Sequence, residues 1–372
     1  MMTIHPRFSL TTGLILASTL GTGLAGADES GETLTVPEQI TAQYCSGITN
    51  GVRRLACYDA LYKSGNGDED NPVLPLEQVE PAILPLGVPE LAGETDADDS
   101  DAGVMRTFVD QYIAAEQAVF SFSGSFVGHR PTYILPISWV KNPNPYPVSP
   151  RLGASSYDYE LAREEAKYQI SFKIPLLTGI LDKRTTLWFG YTQQSFWQVY
   201  NQDESAPFRE TNYEPELFFR YQTDYRIGPG TLNGVTIGFN HQSNGQSEPR
   251  SRSWNRIMAS AAYSYDRWLL VIQPWYRIKE SSKDDNEDIE SYLGYADYLA
   301  VYKLSEDRTF SLKLRNNLES DNKTSVEFGY SFPMGDSLKG FFQYYNGYGE
   351  SLIDYNRRIE RFGFGIMLND WL

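Results

Sequence analysis

Apolar and polar residues alternate with a period of two along the C-terminal two thirds of this 372-residue chain. Alternate residues of a β-strand share one face, so this pattern predicts strands with one apolar and one polar face. Twelve such segments follow Thr107, and many have the roughly 9–11 residues that a tilted strand needs to cross a bilayer. The predicted strands are residues 132–140, 168–177, 185–200, 211–225, 232–243, 253–265, 268–279, 290–303, 309–317, 324–332, 339–348 and 359–368.

The connections between these segments alternate in length and character. Residues 265–267 form a short link, whereas residues 244–252, 280–289 and 349–358 are longer and polar. Short turns at one rim and long loops at the other are typical of outer-membrane barrels. We therefore expect an all-β domain over residues 106–372, a twelve-stranded antiparallel transmembrane β-barrel with both of its ends on the periplasmic side.

The fifth predicted strand carries a candidate catalytic pair. Val235, Ile237 and Phe239 are apolar and alternate with other residues. His241 and Ser243 continue the same alternation, so they share the apolar face, which should point away from the barrel lumen. A proton-transferring imidazole and a hydroxyl nucleophile on an apolar outer surface suit an enzyme whose substrate is a lipid.

The hairpin after this strand predicts a third member of the site. If its loop centres near Glu248, His241 lies opposite Asn255, and Ser243 lies opposite Ser253. Asn255 also shares the parity of the outward residues of the sixth strand. Directly opposed side chains in an antiparallel pair have Cβ atoms about 5 Å apart, so a hydrogen bond between the asparagine and the histidine is feasible.

These residue types have complementary chemical roles. Ser243 would attack an ester carbonyl, and His241 would accept its proton and return it to the leaving group. Asn255 would fix the imidazole tautomer, and the backbone amides of Ser243 and Gly245 would stabilise an oxyanion. A histidine and a serine two residues apart also occur in strands without any function. The alternative interpretation is that these residues lie above the membrane, in a solvated rim of the barrel.

The N-terminal third differs in composition from the barrel region and divides into three segments. Residues 1–27 have a mostly apolar run and a small-residue end, which is typical of a secretory signal peptide. Residues 28–63 predict a small periplasmic helical segment, in which Cys45 and Cys57 should pair as a disulfide in an oxidising compartment. Residues 64–105 are acidic and proline-rich, so we expect a disordered linker.

The net charge of −16 comes mostly from that linker, which holds eleven acidic residues and no lysine or arginine. The rest of the chain is mildly acidic with mixed signs, which argues against nucleic-acid binding. Aromatic residues make up 14% of the chain, and tyrosine and tryptophan are typical of membrane-interface belts. The composition therefore favours a membrane protein over a nucleic-acid-binding one.

Four unusual strings identify a family. They are Pro-Phe-Arg-Glu-Thr-Asn-Tyr-Glu-Pro at 207–215, His-Gln-Ser-Asn-Gly at 241–245, Ser-Arg-Ser-Trp-Asn-Arg at 251–256 and Gly-Tyr-Gly-Glu-Ser-Leu-Ile-Asp-Tyr-Asn at 347–356. Together they resemble bacterial outer membrane phospholipase A, and the similarity runs from about Thr132 to Leu372.

The resemblance implies a Ser–His–Asn triad of Ser243, His241 and Asn255 on the outer face of the barrel. It also implies calcium-dependent hydrolysis of both acyl esters of phospholipids, and of lysophospholipids, by an enzyme of the bacterial outer membrane that is active as a homodimer. At residue 246 the family pattern has arginine, whereas this chain has glutamine. A ligand that acts through its backbone carbonyl should tolerate this change of side chain. The implied calcium ligands are Ser251, the carbonyl of Gln246 and the carbonyl of Ser205 of the partner subunit, and Gln193 is implied at the dimer interface.

Two other function classes remain open from the sequence. The first is a passive pore or structural barrel in which the histidine–serine pair is incidental. The second is an adhesin or assembly partner that acts through the N-terminal module of residues 28–105. Bilayer conductance without ester hydrolysis would favour the pore, whereas hydrolysis that survives deletion of the module would weigh against the second.

Overall fold

The computed structural model describes residues 103–120, 126–280, 283–335 and 338–371. The predicted signal peptide, the segment with the Cys45–Cys57 pair and nearly all of the acidic linker lie outside the described residues. The described chain consists of one long helix followed by long antiparallel strands.

Twelve long antiparallel strands form a closed barrel in the described part of the chain. Each strand pairs with its neighbours in sequence, and the last strand also pairs with the first, so the cylinder has no free edge. The predicted fold class is therefore confirmed. The strands are β1 (Thr132–Val140), β2 (Glu164–Thr178), β3 (Thr185–Trp197), β4 (Phe208–Ile227), β5 (Gly230–Ser243), β6 (Ser253–Tyr265), β7 (Trp268–Ile278), β8 (Ala296–Lys303), β9 (Thr309–Asn316), β10 (Thr324–Met334), β11 (Leu338–Tyr348) and β12 (Arg358–Asn369).

The barrel is apolar outside and polar inside. On β5, Val235, Ile237 and Phe239 expose 37%, 58% and 44% of their surface. Asn240, which has the opposite parity, is buried and hydrogen-bonds to the lumen residue Glu214 over 2.8 Å. This polarity is the reverse of a soluble barrel and suits an outer surface in contact with hydrocarbon.

Ion pairs fill the middle of the lumen. Because these charges are buried, they need partners close by. The pairs include Arg130–Glu214 at 2.8 Å, Arg130–Glu216 at 2.6 Å, Arg256–Glu214 at 2.9 Å and Arg315–Asp297 at 2.6 Å. The polar cavity that remains among them is about 100 Å³, enough for a few water molecules. Side chains therefore occupy the lumen instead of leaving an open channel.

A helix that the sequence pattern did not predict, α1 (Val104–Phe120), packs at the short-turn end of the barrel. The backbone amide of Met105 donates to the carbonyl of Asp266, in the turn between β6 and β7, over 2.6 Å. Farther along the helix, Glu116 is fully buried and forms ion pairs with Lys173 and Arg220 in the lumen. The helix is held because its buried carboxylate has two cationic partners.

This helix corrects the predicted boundary between the linker and the barrel. Residues 104–105 were expected to be linker and residues 106–120 to be barrel, but both belong to α1. The barrel wall begins only at β1. None of the described helices is both long enough and apolar enough to cross a membrane.

A second correction concerns the predicted strand over residues 290–303. Its first part is a short helix, α2 (Glu290–Leu293), and β8 begins only at Ala296. Ile289 and Leu293 lie one helical turn apart, and both join a buried cluster with Trp254 and Trp275. Residues four apart are separated by about 6 Å along a helix but by about 13 Å along a strand, so the helical turn brings both side chains into the same cluster.

Candidate active site

The hairpin of β5 and β6 has the predicted register. His241 pairs with Asn255, and Ser243 pairs with Ser253. Their parity is that of the exposed Ile237, whereas the intervening residues of β6 point into the lumen. The four polar side chains therefore form a two-by-two group on the outer surface, at the end of the barrel that carries the long loops.

A hydrogen bond joins the candidate base to its candidate partner. His241 Nδ1 and Asn255 Oδ1 are 2.8 Å apart. A carbonyl oxygen can only accept, so Nδ1–H of His241 is the donor. In the neutral ring, Nε2 then keeps its lone pair. That tautomer is the one that can take a proton from a hydroxyl.

Ser243 lies on the same face of β5, two residues beyond His241. Two residues of a strand span about 6.6 Å. Within the described residues, no hydrogen bond joins the Ser243 hydroxyl to His241. Catalytic hydrogen bonds in structures without substrate are often long and tighten when substrate binds, so the missing contact does not exclude the pair.

Glu280 is a polar neighbour that the sequence analysis did not select. It follows β7 and accepts a hydrogen bond from Asn255 Nδ2–H over 3.1 Å. Burial raises the pKa of the Glu280 carboxyl, and Asp284 adds to the rise. Glu280 lies two residues beyond the outward residue Ile278 and shares its parity. This parity is the one sequence feature that could have placed Glu280 on the outer face. Parity alone does not place Glu280 beside Asn255, because that also requires the register between β6 and β7.

Gly245, a candidate oxyanion residue, has a backbone conformation that favours glycine. Its φ angle is +63°, in the left-handed region that favours glycine. A Cβ atom built there would lie 3.1 Å from Cε2 of the Tyr213 ring. The chain after Ser243 therefore turns against an aromatic side chain, and a methyl group at this Cα would crowd the Tyr213 ring.

We expect Gly245→Ala to lower kcat for ester hydrolysis about tenfold while the barrel still folds. A left-handed φ at alanine costs about 1–2 kcal/mol, and the new methyl group would displace the candidate oxyanion amide by crowding Tyr213. Hydrolysis kinetics of the purified variant would measure the effect. Gly228→Ala is the matched control, because Gly228 has φ +60° with open space around its Cα. Equal losses in both variants would refute the role of Gly245.

The loop between β5 and β6 carries two of the candidate calcium ligands. The backbone amide of Asn244 donates to the Arg252 carbonyl over 3.0 Å, and Asn244 Oδ1 accepts from the Arg252 amide over 2.9 Å. These bonds close the base of the loop. Glu248, at its tip, forms an ion pair with Arg151 of the loop between β1 and β2 over 2.5 Å. These contacts fix the loop at its base and at its tip.

The donor atoms in this loop fit calcium. Among the described residues, no hydrogen bond occupies the Gln246 carbonyl oxygen or the Ser251 hydroxyl. Carbonyl and hydroxyl oxygens are ligands that Ca²⁺ accepts, with water completing its shell. Ser205 lies in a different outer loop, where it is exposed and has φ +58°. Ser205 is therefore accessible from outside the barrel.

Gln193 lies on the outer face of β3, not in the lumen. It pairs across the sheet with Tyr213, and Tyr213 pairs in turn with Ser243. Neighbouring strands are about 4.8 Å apart, so Gln193 is about 10 Å from the candidate nucleophile along one row. The Tyr191 hydroxyl donates to Gln193 Oε1 over 3.0 Å. Gln193 Nε2–H donates to Ser195 Oγ over 3.3 Å, so this polar amide on an apolar surface has partners within the chain.

The chain is similar to proteins described as phospholipase A1. A family model described as Phospholipase A1 matches residues 109–368. Phospholipase A1 of Escherichia coli strain K12 is 45% identical over 218 residues, which are 58% of this chain and 74% of that protein.

Two solved structures have the same fold. Outer membrane phospholipase A from Escherichia coli has a TM-score of 0.64 and 38% identity, and the match covers 70% of this chain and 98% of that one. The outer membrane phospholipase of Salmonella typhi, described as a dimer with bound calcium, has a TM-score of 0.62 and 39% identity, with 67% of this chain and 93% of that one covered.

The fold of this chain and the matches to known proteins indicate the same family. The family model spans the barrel almost from end to end, and the relatives with the same twelve-stranded architecture are phospholipases of the outer membrane. The chain therefore belongs to the bacterial outer membrane phospholipase A family and is a phospholipase of the outer membrane.

Proposed function

We propose that this protein hydrolyses both acyl esters of phospholipids, and those of lysophospholipids, with a Ser243–His241–Asn255 triad that requires calcium and a homodimer. The observation that carries the proposal is the hydrogen bond between His241 and Asn255 on the outer, apolar face of the barrel. A buried or lumen-facing site could not receive the ester of a lipid that stays in the bilayer. The outward position of the pair removes that obstacle.

The residues support a two-step ester hydrolysis. Ser243 Oγ attacks the ester carbonyl while His241 Nε2 takes the hydroxyl proton, and Asn255 Oδ1 holds the Nδ1–H that keeps this tautomer. His241 then gives the proton to the departing alcohol, which leaves an acyl group on Ser243. A water molecule, deprotonated by His241, attacks that acyl group, and the fatty acid departs as the serine regains its proton.

Calcium would be held by the Ser251 hydroxyl and the Gln246 carbonyl, with Ser205 of the partner subunit completing the protein ligands. When bound there, the ion would add positive charge beside the developing oxyanion. The backbone amides of Ser243 and Gly245 would donate to the same oxyanion. A related protein from Salmonella typhi is described as a dimer with bound calcium, and the free ligand atoms in this chain support the same cofactor.

Dimerisation would place a second copy against the face that carries Gln193. This residue lies in the same cross-strand row as Ser243, two strands away. A partner seated there would border the catalytic residues and shield the reacting ester from water. The exposed position of Ser205 also fits a role in a site that a neighbouring subunit completes.

Product analysis tests the proposal. We expect detergent-purified protein with calcium to release fatty acid from both acyl positions of a phospholipid whose two chains differ in mass, and from the corresponding lysophospholipid. Mass spectrometry of the released acids would distinguish the positions, because each chain reports its own ester. Release from one position alone would refute the double specificity, and bilayer conductance without any acid release would favour the passive pore.

A further inference from the structure

The polar contacts that begin at His241 do not end at Asn255. Nδ1–H of His241 donates to Asn255 Oδ1 over 2.8 Å, and Nδ2–H of Asn255 donates to Glu280 Oε1 over 3.1 Å. Accepting the hydrolytic function proposed above, we propose that Glu280 is a positioning residue that holds the Asn255 amide with its oxygen towards His241. The acid thereby determines which imidazole nitrogen carries the proton.

An asparagine in this role needs such a partner because its amide is nearly symmetric in shape. A half-turn of the amide exchanges its oxygen with its NH₂ group. The turned amide would present N–H to His241 Nδ1, which would then have to accept, and the ring proton would move to Nε2. Ser243 would lose its base. A carboxylate can only accept, so Glu280 selects the orientation in which NH₂ faces away from the histidine.

The strand geometry fixes Glu280 at the right place. Ile278 of β7 pairs directly with Asn255 of β6. Glu280 follows two residues later and shares the outward parity of Ile278. It therefore lies beside Ser253, whose hydroxyl donates to Glu280 Oε1 over 3.5 Å. Because Ser253 pairs with Ser243, the acid extends the same row of the sheet that contains the candidate nucleophile.

Arg277 and His241 favour the carboxylate form of Glu280, whereas Asp284 opposes it. The charged and titratable groups that act on it are Asp284, Arg277 and His241. Arg277 forms an ion pair with Asp284 over 2.7 Å, which engages that cation elsewhere. A carboxylate behind the amide also stabilises the positive charge that His241 gains when it accepts the serine proton. The neutral asparagine thus has a charged group behind it at the membrane surface.

Kinetics of substituted enzymes test the inference. We expect Glu280→Ala to lower kcat about tenfold, as for the loss of one hydrogen bond to a charged group, and to leave KM unchanged, because Glu280 does not touch the substrate. Glu280→Gln should fall between, since its amide can accept from Asn255 but can also donate. Glu287→Ala removes an exposed acid from the same loop and should behave as the unsubstituted enzyme.

The coupling to Asn255 separates positioning from support of the loop. In an Asn255→Ala background, adding Glu280→Ala should cause no further loss of kcat, because the acid acts through that amide. A multiplicative loss in the double variant, or a raised KM with kcat unchanged, would overturn the inference. Circular dichroism and heat-dependent gel mobility would establish that each variant folds.

Failure of the Glu280 inference can be distinguished from failure of the proposed function. If hydrolysis is lost in Ser243→Ala, the function stands whatever Glu280 does, and the Glu280 variants decide the inference alone. If the protein shows no hydrolysis that depends on Ser243, the proposed function fails and the inference fails with it.

Discussion

Replacing Ser243 with alanine is expected to abolish phospholipid hydrolysis, with a fall in kcat of at least about 10⁴-fold. Losing the nucleophile removes the covalent route entirely, and in serine hydrolases the remaining groups recover only a small part of the rate. The barrel should be unaffected, because the side chain is small and lies on its outer surface. Fatty-acid release from mixed detergent–phospholipid micelles would measure the loss.

The control for this experiment is Ser320→Ala. Ser320 is an exposed serine in another loop of the described chain, so the substitution removes a hydroxyl without touching the site. It should leave kcat unchanged. Retained hydrolysis in Ser243→Ala would eliminate Ser243 as the nucleophile, whereas a matching loss in Ser320→Ala would point to a general effect on folding or insertion.

Removing calcium is expected to have the second-largest effect. A chelator should reduce hydrolysis to background, and added Ca²⁺ should restore it. Mg²⁺ should not, because it demands near-octahedral geometry and gives up its water reluctantly, whereas the ligand atoms offered by the loop are a hydroxyl and backbone carbonyls. The measurement is the rate of fatty-acid release as free calcium is varied.

The same preparations would test the homodimer. Chemical crosslinking between two copies should rise when calcium and a non-hydrolysable substrate analogue are present, since Ser205 of the partner subunit would complete the ligand set. Ser251→Ala should raise the calcium concentration needed for half-maximal activity. Full activity in the presence of chelator, or an active species that is strictly monomeric, would contradict the proposed coupling.

Much of the barrel could be predicted because strand periodicity is a local property. The bounds of β1 and β6 agree with the predicted residues 132–140 and 253–265. The same parity argument predicted the register of His241 with Asn255. A one-residue slip would have turned every apolar side chain of the hairpin into the lumen, and this penalty is what makes the register readable from sequence.

The parts that could not be predicted depend on contacts between distant segments. Helix α1 is stabilised by the pairing of Glu116 with Lys173 and Arg220, and none of these partners is visible from the local pattern. The helical turn at Leu293 is buried against tryptophans from two other strands. Glu280 was missed for the same reason, since its partner Asn255 belongs to the preceding strand.

The position of the proposed triad on the exterior of the cylinder would change what limits the enzyme. No channel or cleft has to open, and a substrate molecule arrives by sliding sideways among its neighbours in the leaflet. Encounter is therefore two-dimensional, and turnover follows the fraction of the surrounding lipid that can be cleaved, not the amount of lipid in the suspension. With the proposed triad, dilution of cleavable lipid within the bilayer plane would be a means of holding the enzyme silent.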